Sequence, residues 1–164
     1  MGTKSFKYGN KKLFKKMKKM KIVLPLIFIV LLLGNHKATA QTTAAINQIE
    51  NSIKADGKYA ILAGNYKHFE GSVRTGLRMR KGNPNLQFQI VLIGMVVKEI
   101  TTDAQLLALV EDCKTAGIQI VICQNAMKAL NVTKSDLHPY IETTSSGFVY
   151  MFGLQENGYK VISL

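Results

Sequence analysis

The stretch Ile118–Ala129, IQIVICQNAMKA, limits what this chain can fold into more than any other. Ile118-Gln119-Ile120-Val121-Ile122 is a short run rich in β-branched apolar residues, the pattern of a parallel strand covered on both faces. It runs directly into Cys123 and then into residues with the character of a helix. A buried strand followed at once by a helix demands a sheet flanked by helices. The C-terminal end of such a strand is where open α/β sheets place their ligand crevice, and Cys123 stands there. With Gln124 opening a helix, the thiol lies near the positive end of a helix dipole, which favours thiolate over thiol.

The remaining chain repeats the same alternation. Lys58–Gly64, Leu86–Ile93, Tyr140–Thr144 and Tyr159–Leu164 are the other expected strands. Between them, Asn65–Glu70 is expected as a loop and about Gly71–Arg80 as a helix, with Val73, Leu77 and Arg80 on one face. Gly94–Thr102 is expected as a second loop. Thr102 or Asp103 caps a helix to about Ala116, where Gly117 stops it. The helix after Cys123 extends to about Leu130. A short helical turn begins near Thr133, broken at His138-Pro139. The last helix, Phe148–Glu156, carries Phe148, Met151, Phe152 and Gln155 as one stripe. The order βαβαβαβαβ predicts a three-layer α/β/α domain with a mainly parallel five-stranded sheet.

Ahead of this domain the composition changes. Met1–Lys21 holds nine lysines, Ile22–Leu33 holds no charge, and Ala38-Thr39-Ala40 follows. A basic segment, a short apolar core and an A-x-A site make up a secretory signal peptide, expected over residues 1–40 with cleavage after Ala40. Met17 or Met20 is an alternative start. Twelve apolar residues reach only about 18 Å as a helix, short of the ~30 Å hydrocarbon core, so no stable membrane span is expected once the signal is removed. No cysteine lies near the cleavage site, which argues against a lipoprotein anchor. The expected product is exported, periplasmic or secreted. Residues 41–57 are expected as an N-terminal helix or linker, with Thr42 or Thr43 capping Gln41–Lys54 and Ile46, Ile49 and Ile53 on one side, and 58–164 as the folded domain.

Export also changes the charge balance. The whole chain has a net charge of +12, but residues 1–40 carry ten lysines and no acids, leaving 12 basic and 10 acidic residues beyond them. The basic excess therefore gives no reason to expect a nucleic-acid partner. Two cysteines remain, Cys113 and Cys123, and the default for an exported protein is a disulfide. Geometry argues against it. Leu106, Leu109, Val110 and Cys113 share the inner face of a helix that ends where the next strand begins, so Cys113 lies beside the start of that strand and Cys123 at its end. Five strand residues cover roughly 16 Å, whereas a disulfide needs Cα atoms within about 7 Å. Cys113 is expected in the core and Cys123 free.

The sequence lacks G-x-G-x-x-G after the first strand, a Walker A loop, C-x-x-C, H-E-x-x-H and G-x-S-x-G, and no three ligands have metal spacing. Neither a cofactor nor a metal is expected. In a parallel sheet the βα loops gather at one edge. They bring together Tyr66 and His68, Lys98, Cys123 with Gln124 and Asn125, and Ser145 with Ser146. A thiolate nucleophile needs a nearby cation or a helix N-terminus, for which His68 or Lys98 is a candidate, with Asn125 supplying a hydrogen bond.

Val121-Ile122-Cys123-Gln124-Asn125-Ala126-Met127, then Leu130-Asn131-Val132, Asp136-Leu137, Gly147 and Leu154-Gln155-x-x-Gly158-Tyr159 resemble the DsrE/DsrF-like family, and in particular its exported stand-alone branch. The resemblance covers most of 58–164. It implies a compact domain with a parallel five-stranded sheet, often assembled into homotrimers or hexamers. It also implies a cysteine after the third strand, here Cys123, that holds a persulfide and passes it between a sulfur donor and an acceptor. The alternative is a non-catalytic oligomeric module that binds a small ligand or a partner protein, with Cys123 structural.

Overall fold

The computed structural model describes residues 42–164. The expected signal peptide and its cleavage site lie outside the described residues. The described chain falls into two units, one ending at Ile53 and the other Lys54–Leu164. In the first, helix α1 spans 42–50, shorter than the expected Gln41–Lys54, and Ile46, Ile49 and Ile53 are exposed.

The second unit runs β1 (Lys58–Ala63), α2 (Tyr66–Arg80), β2 (Gln87–Leu92), α3 (Val96–Glu99), α4 (Ala104–Ala116), β3 (Gln119–Cys123), α5 (Gln124–Ala129), β4 (Glu142–Thr144), α6 (Gly147–Glu156) and β5 (Lys160–Ser163), with a 3-10 turn at Lys134–Asp136. All five strands are parallel, in the order β4-β3-β2-β1-β5. Ile61, Ile90 and Ile120 align across β1, β2 and β3. Successive strand residues point to opposite faces, and both faces of these three strands are buried beyond their first residue. This explains their continuous apolar runs. On one face, Ile61, Ile90 and Ile120 pack with Phe69 and Val73 of α2, Leu106 and Val110 of α4 and Met127 of α5. On the other, Ala60, Leu62 and Val91 meet Met151 and Leu154 of α6.

Four expectations change in the structure. First, Asn65–Glu70 is not a loop. Asn65 caps α2 by accepting a hydrogen bond from the His68 amide at 3.0 Å, and the helix starts at Tyr66. Its inner face is Phe69, Val73 and Gly76 rather than Val73, Leu77 and Arg80. Gly76 is needed there, because a Cβ would stand 2.9 Å from both Ile118 Cδ1 and Phe88 Cδ1. Second, the expected loop Gly94–Thr102 contains α3, because Val96, Val97 and Ile100 are buried and draw the backbone into a turn over the sheet edge. Third, the β3 ladder takes in Cys123, one residue beyond the expected strand end. Fourth, the stripe on α6 is rotated. Gly147, Met151 and Leu154 are buried, while Phe148 and Phe152 are exposed. Cys113 is fully buried, and it and Cys123 are both free.

Candidate functional site

The chain leaves β3 for α5, whose Met127 packs on the same side of the sheet as α2 and α4. It leaves the neighbouring strand β4 for α6, which packs on the opposite side. Two adjacent parallel strands whose connections depart to opposite faces leave a crevice at their C-terminal ends. Cys123 is the last residue of β3, paired in register with Thr144, the last residue of β4. Gln124 Nε2 donates to Thr143 Oγ1 at 3.1 Å across this gap.

Each wall of the crevice is a helix start. Cys123 is itself the N-cap residue of α5. Ser146 caps α6, and its hydroxyl accepts weakly from the Val149 amide at 3.5 Å. Gly147, the first residue of α6, packs directly on the cysteine: a Cβ there would lie 3.3 Å from Cys123 Cβ and 2.9 Å from Ile93 Cγ2. Only glycine lets the amino end of α6 come this close. The first amides of a helix lack intrahelical partners and carry the positive end of its dipole. Cys123 as a whole residue is 5% exposed. No hydrogen bond to its sulfur is present among the described residues.

The other expected site residues are distributed along the same sheet edge. Gln124, Asn125 and Ser145 are exposed beside Cys123, and Ser146 is half-buried. Tyr66 and His68 follow β1, which is two strands from β3, a spacing of about 10 Å. Their groups are engaged elsewhere: Tyr66 hydroxyl donates to Gln105 Oε1 at 2.7 Å, and His68 Nδ1 lies 3.1 Å from Asn65 Nδ2. Lys98 is exposed on α3. Neither His68 nor Lys98 hydrogen-bonds the thiol. Sequence reasoning placed all these groups on one edge, together with the loop from Thr143 to Gly147, but did not anticipate that Thr143 bridges to Gln124 or that Gly147 is the residue packed on the cysteine. Among the described residues, no group of three or more His, Cys, Asp or Glu side chains is arranged to hold a metal ion.

A family model, the DsrE/DsrF-like family, matches residues 57–164. The chain belongs to the DsrE/DsrF-like family. Solved structures share the fold at a TM-score of 0.57 in each of three cases. The protein of unknown function MTH1491 from Methanobacterium thermoautotrophicum is 17% identical, covering 65% of this chain and 96% of that one. The conserved protein of unknown function BT1422 from Bacteroides thetaiotaomicron is 21% identical, covering 69% and 99%. The ychN protein from E. coli is 15% identical, covering 66% and 99%. No curated protein matches the chain. At these identities the solved structures bear on the fold and not on the reaction.

Proposed function

We propose that this member of the DsrE/DsrF-like family is an exported carrier of sulfane sulfur, with Cys123 as the residue that holds it. The observation that carries the reading is the setting of Cys123. It ends β3 at the crevice between β3 and β4, and the amino end of α6 rests on its Cβ. A helix amino end stabilises both a thiolate and the persulfide anion that follows from it. In loading, the Cys123 thiolate attacks the outer sulfur of a donor persulfide. An S–S bond forms to Cys123 as the donor's S–S bond breaks, and the donor leaves as a thiolate. In delivery, an acceptor thiolate attacks the outer sulfur and Cys123 is released as thiolate, so no net oxidant is needed. Gln124 and Thr143 border the bound sulfur, and Asn125, Ser145 and Ser146 line the approach. His68 and Lys98 act on the incoming donor farther along the edge, as does Tyr66. Export rests on the lysine-rich start, the uncharged run Ile22–Leu33 and the Ala38-Thr39-Ala40 site.

The near-complete burial of Cys123 favours one second reading, a binding or assembly module in which the cysteine is packed. Polysulfide treatment of the folded protein, followed by mass-resolved mapping of each cysteine, separates the two. The carrier gains one sulfur on Cys123 and loses it to a small thiol, and Cys123→Ser gains none. A folded protein whose Cys123 stays unmodified until denaturant is added leaves only the packed module.

A further inference from the structure

The α6 side of the sheet carries a groove of about 540 Å³ that the sulfur chemistry above does not use. At one end stands Thr144, the last residue of β4, and at the other Lys58, the first residue of β1. The strands are parallel, so these ends lie at opposite edges of the sheet. Between them the groove follows α6, walled by Val149, Tyr150, Gly153 and Leu154, with Asn157 and Tyr159 beside Lys58. From Val149 to Asn157 the helix axis advances about 12 Å, the length of three or four extended residues.

The groove keeps its polar capacity at its ends. In the middle, Tyr150 hydroxyl donates to Gln89 Oε1 at 2.9 Å. Tyr159 hydroxyl accepts from Gln89 Nε2 at 2.9 Å and donates to Gln87 Oε1 at 2.7 Å. Neither hydroxyl has a proton left for a ligand, and Val149, Leu154 and the tyrosine rings offer apolar contact. At Gly153 a Cβ would meet no atom within 4 Å, so the groove opens outward there. Lys58 Nζ makes one long bond, 3.4 Å to the Asn157 carbonyl, and lies 5.7 Å from the centre of the Tyr159 ring. It joins no ion pair among the described residues, and no carboxylate side chain lines the groove. An ammonium without a competing acid selects an anion. At the other end, the Thr144 hydroxyl makes no hydrogen bond among the described residues.

Thr144 also joins the groove to the cysteine. It pairs in register with Cys123, so both side chains leave the same face of the sheet, on strands about 4.8 Å apart. A molecule with its sulfur at Thr144 is therefore beside Cys123, and a negative group farther along it meets Lys58. We propose that this groove seats the sulfur acceptor, and that the acceptor is a small, peptide-sized thiol bearing a carboxylate. Lys58 holds the carboxylate and Thr144 steadies the sulfur. The chemistry rests on the carrier reading. The acceptor thiolate attacks the outer sulfur of the Cys123 persulfide. A new S–S bond forms as the bond to Cys123 Sγ breaks, Cys123 leaves as thiolate, and the acceptor departs as a persulfide. Donor and acceptor then have separate routes, one along the sheet edge and one across its face.

The test is transfer from polysulfide-loaded protein to glutathione and to glutathione diethyl ester, which lacks both carboxylates. The two are compared at equal thiolate concentration, with mass spectrometry following loss of sulfur from Cys123. Lys58→Gln is set beside Lys58→Arg and beside Lys81→Gln, which makes the same change in net charge at the end of α2. Circular dichroism checks that each variant keeps its fold. Glutathione should unload the parent about fivefold faster than the ester, the worth of one exposed ion pair. Lys58→Gln should lose that advantage with the ester rate unchanged, while Lys58→Arg and Lys81→Gln keep it. Equal rates for acid and ester in the parent, or an advantage that survives in Lys58→Gln, overturn the proposal. Calorimetric binding of S-methylglutathione, which cannot exchange sulfur, separates this proposal from the carrier reading. If Cys123 takes up no sulfur, the carrier reading fails and that binding alone judges the groove. Binding that weakens about fivefold in Lys58→Gln keeps it as a carboxylate site, and no binding removes it.

Discussion

The two cysteines show how position, rather than residue type, sets chemistry. Cys113 faces inward on α4, fully buried, and burial with the nearby Asp112 carboxylate pushes its thiol from 9.0 up to about 12. The folded chain therefore holds the Cys113 proton more tightly than the unfolded chain does. Its contribution to stability is intact below pH 9 and is lost as the pH rises from about 9 towards 12. Alkylation of the folded protein at pH 8 should leave Cys113 unlabelled, with rapid reaction only after denaturant is added. Labelling of Cys113 at the rate of a free thiol would show that the α4–β3 contact opens readily. The inward face of Cys113 was readable from the spacing of Leu106, Val110 and Cys113. The place of Cys123 at a strand end was readable from the apolar run before it. The distance from Cys123 to His68 was not, because a loop's position along the sheet edge depends on strand order, which local pattern does not encode.

At the level of elements, legibility followed the strength of the end signals. Helix α4 was read nearly to the residue because both ends are marked. Asp103 Oδ1 accepts from the Gln105 and Leu106 amides at 2.8 and 3.0 Å, and Gly117 adopts the left-handed conformation at φ 67°. Replacing Asp103 by Ala removes both bonds and should destabilise the protein by about 1 kcal/mol, seen as a lower urea midpoint at unchanged m-value. No change in midpoint would mean that water or a neighbouring group satisfies those amides equally well. The start of α2 was missed although Asn65 is a strong cap, because its first turn, Tyr66-Lys67-His68-Phe69-Glu70, is mostly polar and shows little apolar periodicity. The rotation of α6 was missed for a different reason. A helix apolar on every side has no periodicity from which to choose an inner face, and its orientation is set by the close approach of Gly147 to Cys123 and Ile93.

Across the whole folded unit, the layers are unequal. Helices α2, α3, α4 and α5 contribute to one face of the sheet, whereas α6 alone among the helices of this unit covers the other. Strand β2 lies at the centre of the order β4-β3-β2-β1-β5, with a neighbour on each side and every residue after Gln87 buried. The outer strands are different: β4 has three residues, none buried, and β5 is largely exposed, including Ile162 at 59%. Local openings expose backbone amides most easily where few side chains must be desolvated. Native-state hydrogen exchange should therefore find the slowest amides in β2 and the facing parts of β1 and β3, with β4 and β5 exchanging through smaller openings. Edge strands that exchange only with β2 would show that the sheet opens as one unit. They would also point to β5 and β4 being held by surfaces that a single chain leaves bare, since a lone edge strand with an exposed apolar residue has no covering layer of its own.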